Sequence, residues 1–491
     1  MKISEILNTA GIGKAFKGAD FTVKGLSFDS RNVGADFIFF AVVGSKVDGT
    51  KYIGQAIENG AGAVIADEKA AKNYAKNPKV ILVDNVRKVM AEMSCVFYGN
   101  PSEMIKVVGV TGTNGKTTIT YIIKKILEEA GYKAGLIGTI DYMTDTKNTN
   151  TSRLTTPDSI EVNEYLSKMV KNGMQFCIME VSSIALVNYR VQTIHYDTAV
   201  FTNLTSEHMD LHLNMDNYFR AKKMLFDTLS EHSLAVSNSD DDFGIRMLTE
   251  CRASKKLYSV DNYSNLQAFN INLSLGGMSF DIELNETRYN VKSSLTGRFN
   301  VYNILASILT ALRYGIDMEV ILSAIEKFEA VKGRFNRIML PNGACAIIDY
   351  SHTSDSLKNA IEAALDVTRH DNSGGRVITL FGCGGDKDRT KRPVMGNIAT
   401  TLSDYVIVTS DNPRSESPEA IIEDIKTGIE KNNYESEPDR DKAIKRGIEM
   451  SRKGDIILIC GKGHETYQEI KGVKSHFDDA EEVIKYQSLA K

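Results

Sequence analysis

Gly109-Val110-Thr111-Gly112-Thr113-Asn114-Gly115-Lys116-Thr117-Thr118 is a glycine-rich turn between two apolar segments. Before it, Ile105-Lys106-Val107-Val108 reads as a buried strand. After it, Ile119, Ile122, Ile123, Ile126 and Leu127 recur at i, i+3, i+4, i+7 and i+8, the period of an amphipathic helix. A glycine turn in that setting aims backbone N–H groups and a helix N-terminus at one point, which suits phosphate oxygens. Lys116 adds a positive charge and Thr117 a hydroxyl fitted to Mg²⁺. The common form of this loop has four residues between its first glycine and Gly-Lys. Here Val110 stands at that first-glycine position, and Gly112 lies three residues before Gly115. A tight turn that binds nothing is the competing reading, and the strand–turn–helix context counts against it.

The bulk properties bound the rest. A chain of 491 residues predicts roughly three domains at ~150 residues each. With 42% hydrophobic and 25% charged residues it is an ordinary soluble globular composition. The net charge of −4 and the lack of a long basic block exclude nucleic acid as the expected partner. The start, Met1-Lys2-Ile3-Ser4-Glu5, has no secretory apolar core. No run of ~20 apolar residues predicts a membrane span. Cys95, Cys177, Cys251, Cys345, Cys383 and Cys460 are widely spaced, which fits free thiols in a reducing cytoplasm better than disulfides or zinc.

Three blocks are expected, 1–102, 103–334 and 335–491. The first mixes short elements: a strand over Phe37–Val43, a helix over Tyr52–Gly60, a strand over Ala63–Ile65, and Pro101-Ser102 as linker. In the second, strand candidates Gly135–Gly138, Phe176–Met179, Thr198–Phe201 and Leu234–Val236 alternate with helical segments, the pattern of a parallel sheet covered by helices. Phe269–Val291 alternates and predicts antiparallel strands appended to it. The third block repeats the α/β pattern with strands at Ala344–Asp349, Val377–Phe381, Tyr405–Thr409 and Ile456–Cys460. A helix is expected over Pro418–Ile429, with Ser417 as N-cap and Pro418 in the first turn. A Rossmann-like block of this kind keeps its site beyond the C-terminal strand ends, where Asp349, Gly382, Asp411 and Gly461 fall.

Other segments carry chemistry. Glu180 ends an apolar strand beside the glycine loop, where a carboxylate can hold Mg²⁺; a solvated strand end is the alternative. His208 and His212 have i, i+4 spacing, yet no glutamate follows His208, so a zincin-type site is a poor reading. Tyr218-Phe219-Arg220-Ala221-Lys222-Lys223-Met224-Leu225-Phe226 reads as an amphipathic helix. Asp29-Ser30-Arg31, Thr155-Thr156-Pro157, Asp349-Tyr350-Ser351-His352-Thr353-Ser354-Asp355, Phe381-Gly382-Cys383-Gly384-Gly385-Asp386, Lys391-Arg392-Pro393, Asp411-Asn412-Pro413-Arg414 and Gly461-Lys462-Gly463-His464-Glu465 follow in order. Singly each is a polar turn; jointly their order and spacing are specific.

These segments, with Thr111-Gly112-Thr113-Asn114-Gly115-Lys116-Thr117, resemble the Mur ligase family across the whole chain, and its MurE-type branch in particular. The family builds the peptide of bacterial cell-wall precursors one amino acid at a time. The resemblance implies three α/β domains: 1–102 binding the UDP precursor, 103–334 a P-loop ATPase-type parallel-sheet domain, and 335–491 a Rossmann-like domain for the amino acid. It implies an ATP-dependent acid–amino-acid ligase of peptidoglycan synthesis, in the cytoplasm, monomeric, serving cell shape and division. The expected reaction adds meso-diaminopimelate to UDP-N-acetylmuramoyl-L-alanyl-D-glutamate through an acyl phosphate.

The resemblance also implies roles. Gly112, Thr113, Asn114, Gly115, Lys116, Thr117 and Thr118 would hold the ATP phosphates, Asn300 and Asn303 the adenine side, and Arg334 and Asp349 would complete the nucleotide site. Thr117 and Glu180 would hold Mg²⁺. His208 and a carbamylated Lys222 (N6-carboxylysine) would hold a second metal, with Lys116, Glu180, His208 and Lys222 as the catalytic set. Lys222, not Lys223, matches, being four after Tyr218. Ser30, Ser45, Lys46 and Val47 would face the uridine nucleotide, and Thr155, Thr156, Ser182, Asn188 and Arg190 the muramoyl part. Arg392, Asp411, Asn412, Pro413, Arg414, Gly461 and Glu465 would bind the amino acid.

Two positions depart from the family pattern. Ile184 stands where histidine is usual, and Ser354 replaces proline. They leave open addition of L-lysine or another amine, or a diverged paralogue that binds precursor without the usual activity; folylpolyglutamate synthetase, a ligase with a related P-loop, is a further alternative, against which Asp29-Ser30-Arg31 and the long first domain count.

Overall fold

The computed structural model describes residues 1–44, 47–207, 209–370 and 374–490. Among them the strands form four sheets. Gly25–Ser27, Phe37–Ala41, Ala63–Asp67 and Val80–Val83 make a parallel sheet in chain order. Helices Ile3–Thr9 and Val86–Phe97 share its core on one face. The helix expected over Tyr52–Gly60 is Ile53–Glu58, preceded by a 3₁₀ turn that starts where Asp48 caps Thr50.

The central sheet has eleven strands among the described residues. Its middle runs Thr198–Phe201, Lys106–Thr111, Phe176–Glu180, Ala134–Ile137, all parallel. Being covered on both faces, these strands are nearly continuous apolar runs, as a buried parallel sheet requires. The alternating segment is a meander, Leu266–Ser274, Gly277–Leu284 and Thr287–Ser293. It continues the same sheet through Leu234–Asn238 and Ser254–Ser259, so the appended strands are an extension rather than a separate layer.

The loop helix is Lys116–Glu129. Its Ile119, Ile122, Ile123, Ile126 and Leu127 are all buried, as the period predicts. They pack with helices Arg298–Arg313 and Met318–Glu326. Isoleucine is only a middling helix former. Burial of each side chain is worth roughly 1.5–3 kcal/mol, so tertiary contact, not propensity, fixes this helix.

The last sheet has six strands in the order Asn336–Met339, Cys345–Asp349, Ile456–Cys460, Val377–Phe381, Tyr405–Val408, Tyr434–Ser436. Only its first pair is antiparallel. The edge strands Asn336–Met339 and Tyr434–Ser436 and the hairpin Tyr467–Ile470/Val473–His476 escaped sequence reading, being short and polar. The helix expected to reach Ile429 ends at Lys426. Ser417 sits at its N-cap position but makes no capping bond, because its hydroxyl donates to Glu419. All six cysteines are buried and free. No described helix is long and apolar enough to cross a membrane.

Candidate active site

Two glycines let the phosphate loop close. Gly115, the residue before the helix, has φ +88°, and a Cβ there would lie 2.5 Å from Asn303 Oδ1. Gly112 has φ +143°, and a Cβ would meet Thr202 Oγ1 at 1.8 Å. Asn300 and Asn303 therefore lie on the helix behind the loop, where Asn303 donates to Asn300 Oδ1 at 2.9 Å and Asn300 to the Thr296 carbonyl at 2.8 Å. The Thr113 hydroxyl is 3.3 Å from the Tyr218 hydroxyl. Asn114 N–H donates to Asn203 Oδ1 at 2.9 Å. Thr118 is buried in the helix's first turn.

Two lysines converge on one loop carbonyl. Lys116 Nζ donates to the Gly112 carbonyl at 3.0 Å and to the Thr113 carbonyl at 2.8 Å. Lys222 Nζ donates to the same Gly112 carbonyl at 2.7 Å and lies 4.5 Å from the Tyr218 ring centroid. Lys222 is 1% exposed. Burial, then the charge of Lys116, pushes its amine well below the ordinary lysine value. Burial lowers Lys116 too. The shift favours the uncharged amine at Lys222, the form that can add CO₂. Lys223 instead pairs with Asp227 on the outer face of its helix.

Glu180 is 1% exposed at the end of its strand. Its Oε1 accepts from the Thr117 hydroxyl at 3.0 Å and from Thr139 N–H at 2.8 Å, and its Oε2 from the Thr139 hydroxyl at 2.9 Å. Neighbouring oxygens on an octahedral Mg²⁺ with ~2.1 Å bonds lie about 3 Å apart. The Thr117–Glu180 oxygen pair has that spacing, and the carboxylate meets only neutral donors, so this pair fits the cation. Thr139 was not foreseen; it follows a strand end with no motif around it. His208 lies outside the described residues. Among those described, no three His, Cys, Asp or Glu side chains group as a metal site. His212 packs inward: its Nε2 is 2.9 Å from the Ser183 hydroxyl and its ring stacks near Tyr218.

The residues expected to face the precursor are linked to Glu180. The Thr156 hydroxyl donates to the Glu180 carbonyl at 2.9 Å and accepts from Ser182 N–H at 3.0 Å. Ser182 caps helix Ser183–Val187, and Asn188 ends it. Arg190 donates to the Thr156 carbonyl at 2.9 Å and pairs with Asp158 at 3.1 Å. Thr155 and Thr139 hydroxyls are 3.0 Å apart. In the N-terminal sheet domain, buried Ser30 donates to Gln55 Oε1 at 2.8 Å, and Val47 is exposed. Ser45 and Lys46 lie outside the described residues.

The C-terminal sheet closes over the loop. Arg334 donates to the Thr117 hydroxyl at 3.3 Å, and its guanidinium lies 4.6 Å from the Tyr350 ring. Asp355 Oδ2 accepts from Asn114 Nδ2 at 3.2 Å and from the Thr205 hydroxyl at 2.7 Å, joining residues 241 apart in sequence. Asp349 accepts from Phe335 N–H at 2.7 Å and from both N–H and hydroxyl of Ser351, while burial raises its pKa. His464 packs on Tyr350, and burial holds its pKa down to about 4, so it is neutral. At the junction itself, Gly333 has φ +69°, and a Cβ would lie 2.1 Å from Gly463 C and His464 N.

Further along the same sheet, Asp411, Asn412 and Pro413 are buried and Arg414 half-buried. Asp411 Oδ2 fills the space a Cβ on Gly461 would need, at 2.3 Å. Asn412 donates to Glu465 Oε2 at 2.7 Å. Burial and Asp411 raise the Glu465 pKa. Arg414 uses its guanidinium on the Gly385 carbonyl at 2.9 Å. Arg392 is placed differently from expectation. It is fully buried, with Glu416 in a two-pronged pair at 2.8 and 2.9 Å and Asp424 at 2.8 Å. The hydrogen bonds from Arg392 draw the Glu416 pKa down to about 2. Its terminal nitrogens are taken up by the protein's own carboxylates and the Gly384 carbonyl, while its buried Nε has no hydrogen-bond partner.

Comparison with known proteins agrees along the chain. Family models match over residues 22–98 (Mur ligase family, catalytic domain), 110–311 (Mur ligase middle domain) and 333–463 (Mur ligase, glutamate ligase domain). A UDP-N-acetylmuramoyl-L-alanyl-D-glutamate–2,6-diaminopimelate ligase of Clostridium tetani is 41% identical over 490 residues, 99% of both chains. The protein of the same name from Fusobacterium nucleatum is 43% identical over 463 residues, 93% of this chain and 92% of its own. A solved structure of a ligase of that name aligns with TM-score 0.68 at 31% identity, covering 95% of each chain. The chain belongs to the Mur ligase family.

Proposed function

We propose that this chain is the ATP-dependent ligase that adds meso-diaminopimelate to UDP-N-acetylmuramoyl-L-alanyl-D-glutamate in peptidoglycan precursor synthesis. The relatives' shared name at 41–43% identity supports the substrates. The observation that carries the chemistry is the buried Thr117–Glu180 pair, 3.0 Å apart, beside two lysines on one phosphate-loop carbonyl. On this reading residues 1–102 take the UDP precursor, 103–334 the ATP and 335–491 the amino acid, and the protein works in the cytoplasm.

A carboxylate at neutral pH is a poor electrophile. The precursor's glutamate carboxylate therefore attacks the γ-phosphorus of ATP, the bond to the bridging oxygen breaks, and ADP leaves. The acyl phosphate then meets the neutral amine of diaminopimelate. A C–N bond forms, the C–O bond breaks, and phosphate departs carrying the proton that the amine gives up. The protein's contribution is positioning and charge. Lys116 would turn from the loop carbonyls to the phosphates, and Arg334, in the turn that joins the central and C-terminal sheets, would reach the same place. Thr156 and Arg190 fix the precursor loop against the strand that ends in Glu180. Thr117 and Glu180 would hold Mg²⁺, which would supply charge neutralisation to the transferring phosphoryl group. Lys222, carbamylated, and His208 are the proposed second set of ligands. Closing two sheet domains on one site excludes water from the acyl phosphate.

Release of ADP, measured with the precursor and a panel of amino acids, tests this reading; no release with meso-diaminopimelate would refute it. Two narrower outcomes are expected. A crystal structure of the nucleotide complex should show added density on Lys222 Nζ, and an unmodified Lys222 in an active, nucleotide-bound crystal would end that role. Ile184→His should keep acylation within about twofold, the size of a ~0.5 kcal/mol change at a half-buried position away from special contacts. A strong loss would mean that the helix Ser183–Val187 is packed around isoleucine.

A further inference from the structure

A hairpin follows Glu465 directly, with strands Tyr467–Ile470 and Val473–His476. Its connection, Lys471-Gly472, has φ +50° and +77°, both positive, as in a type I′ turn. Residues 471–476 are exposed. A lone two-stranded hairpin is marginal in water, so its placement depends on what it touches.

It touches the Asp411–Arg414 loop through four hydrogen bonds. Gln468 Nε2 donates to the Asp411 carbonyl at 2.8 Å. Glu469 N–H donates to Asn412 Oδ1 at 2.9 Å. Arg414 N–H donates to the Glu469 carbonyl at 2.9 Å, and Lys471 N–H to the Arg414 carbonyl at 2.6 Å. Arg414 itself has φ +52°. For a residue with a Cβ that conformation is sterically disfavoured. Both backbone polar groups of Arg414 are spent on the hairpin, so the hairpin holds it there. Its side chain then reaches the Gly385 carbonyl.

We propose that the hairpin Tyr467–His476 is a specificity-setting element. By holding Arg414 in the left-handed conformation it sets the direction of the guanidinium, and with it the preference for an amino acid bearing a distal carboxylate. Gln468 and Gly472 are positioning residues that act through the loop. This rests on the reading of Asp411–Arg414 as the amino-acid loop.

The test uses the full chain with Gly472→Val, Gly472→Asn and Gln468→Ala. The space around Gly472 is open, so a substitution acts through backbone strain alone. Valine resists positive φ, whereas asparagine tolerates it. Gly472→Val and Gln468→Ala are expected to raise KM for meso-diaminopimelate about tenfold, in line with the cost of a slight misplacement. Their kcat and their KM for ATP and precursor should stay at wild-type values, and the preference over L-lysine should fall by the same factor. Gly472→Asn should retain wild-type KM. Unchanged KM for meso-diaminopimelate in both Gly472→Val and Gln468→Ala would overturn the proposal, as would an equal rise for all three substrates. If the wild-type enzyme takes L-lysine as well as meso-diaminopimelate, the reading of the loop itself fails, before any variant is compared.

Discussion

Lys116→Ala is expected to fold normally and to lose ADP formation by about 10²–10³-fold, the cost of removing a preorganised charge from a transferring phosphoryl group. The fold should survive because the amine's two partners are loop carbonyls, at 2.8 and 3.0 Å. Each such bond is worth about 1 kcal/mol net. The measurement pairs thermal unfolding with coupled ADP release. Near wild-type turnover in a folded variant would remove the phosphate-loop assignment.

Arg414→Ala should lower kcat/KM for meso-diaminopimelate about a hundredfold, roughly 3 kcal/mol for a charge-assisted pair of hydrogen bonds. L-lysine turnover should not fall with it. Diaminopimelate carries a second carboxylate where lysine has only its ammonium, and a planar guanidinium grips a carboxylate in two prongs. A guanidinium has five N–H donors, and at Arg414 the described protein partner is the Gly385 carbonyl. Arg392 contrasts: Glu416, Asp424 and the Gly384 carbonyl take its terminal nitrogens. On the reading proposed above, Arg414 is the residue that meets the distal carboxylate, and Arg414→Lys should not restore the preference, since a point charge lacks the fork. Wild-type turnover of L-lysine equal to that of meso-diaminopimelate would overturn this expectation.

The strand, turn and helix around Gly112–Lys116 could be read directly, because a local apolar period and two glycines with forced conformations define them. Glu180 was readable for the same reason, as the first charged residue after an apolar strand. Its clamp by Thr139 was not, since that contact spans 41 residues and leaves no local pattern. Asp355 was visible only as part of a string; its bridge to Asn114 and Thr205 depends on how two sheets meet. Arg392 stood out only through the family resemblance, as an expected amino-acid contact. Its partners Glu416, in the loop before helix Pro418–Lys426, and Asp424, on that helix, are met through a packing that no spacing announces. The hairpin did leave a signal, Lys471-Gly472 between two short alternating runs, but its polar strands looked like loop.

The contact at Gly333 has a consequence for how this enzyme can vary. There the connection between the central and C-terminal sheets passes backbone against backbone, with 2.1 Å between a would-be Cβ and the chain at Gly463 and His464. Peptide thickness, unlike side-chain volume, does not drift as sequences diverge. The spacing between the phosphate loop and the facing sheet is thus gauged at that point by the one part of the chain that mutation leaves constant. Residues around the cleft can change to suit a different amine while the gap that both substrates must span stays the same width.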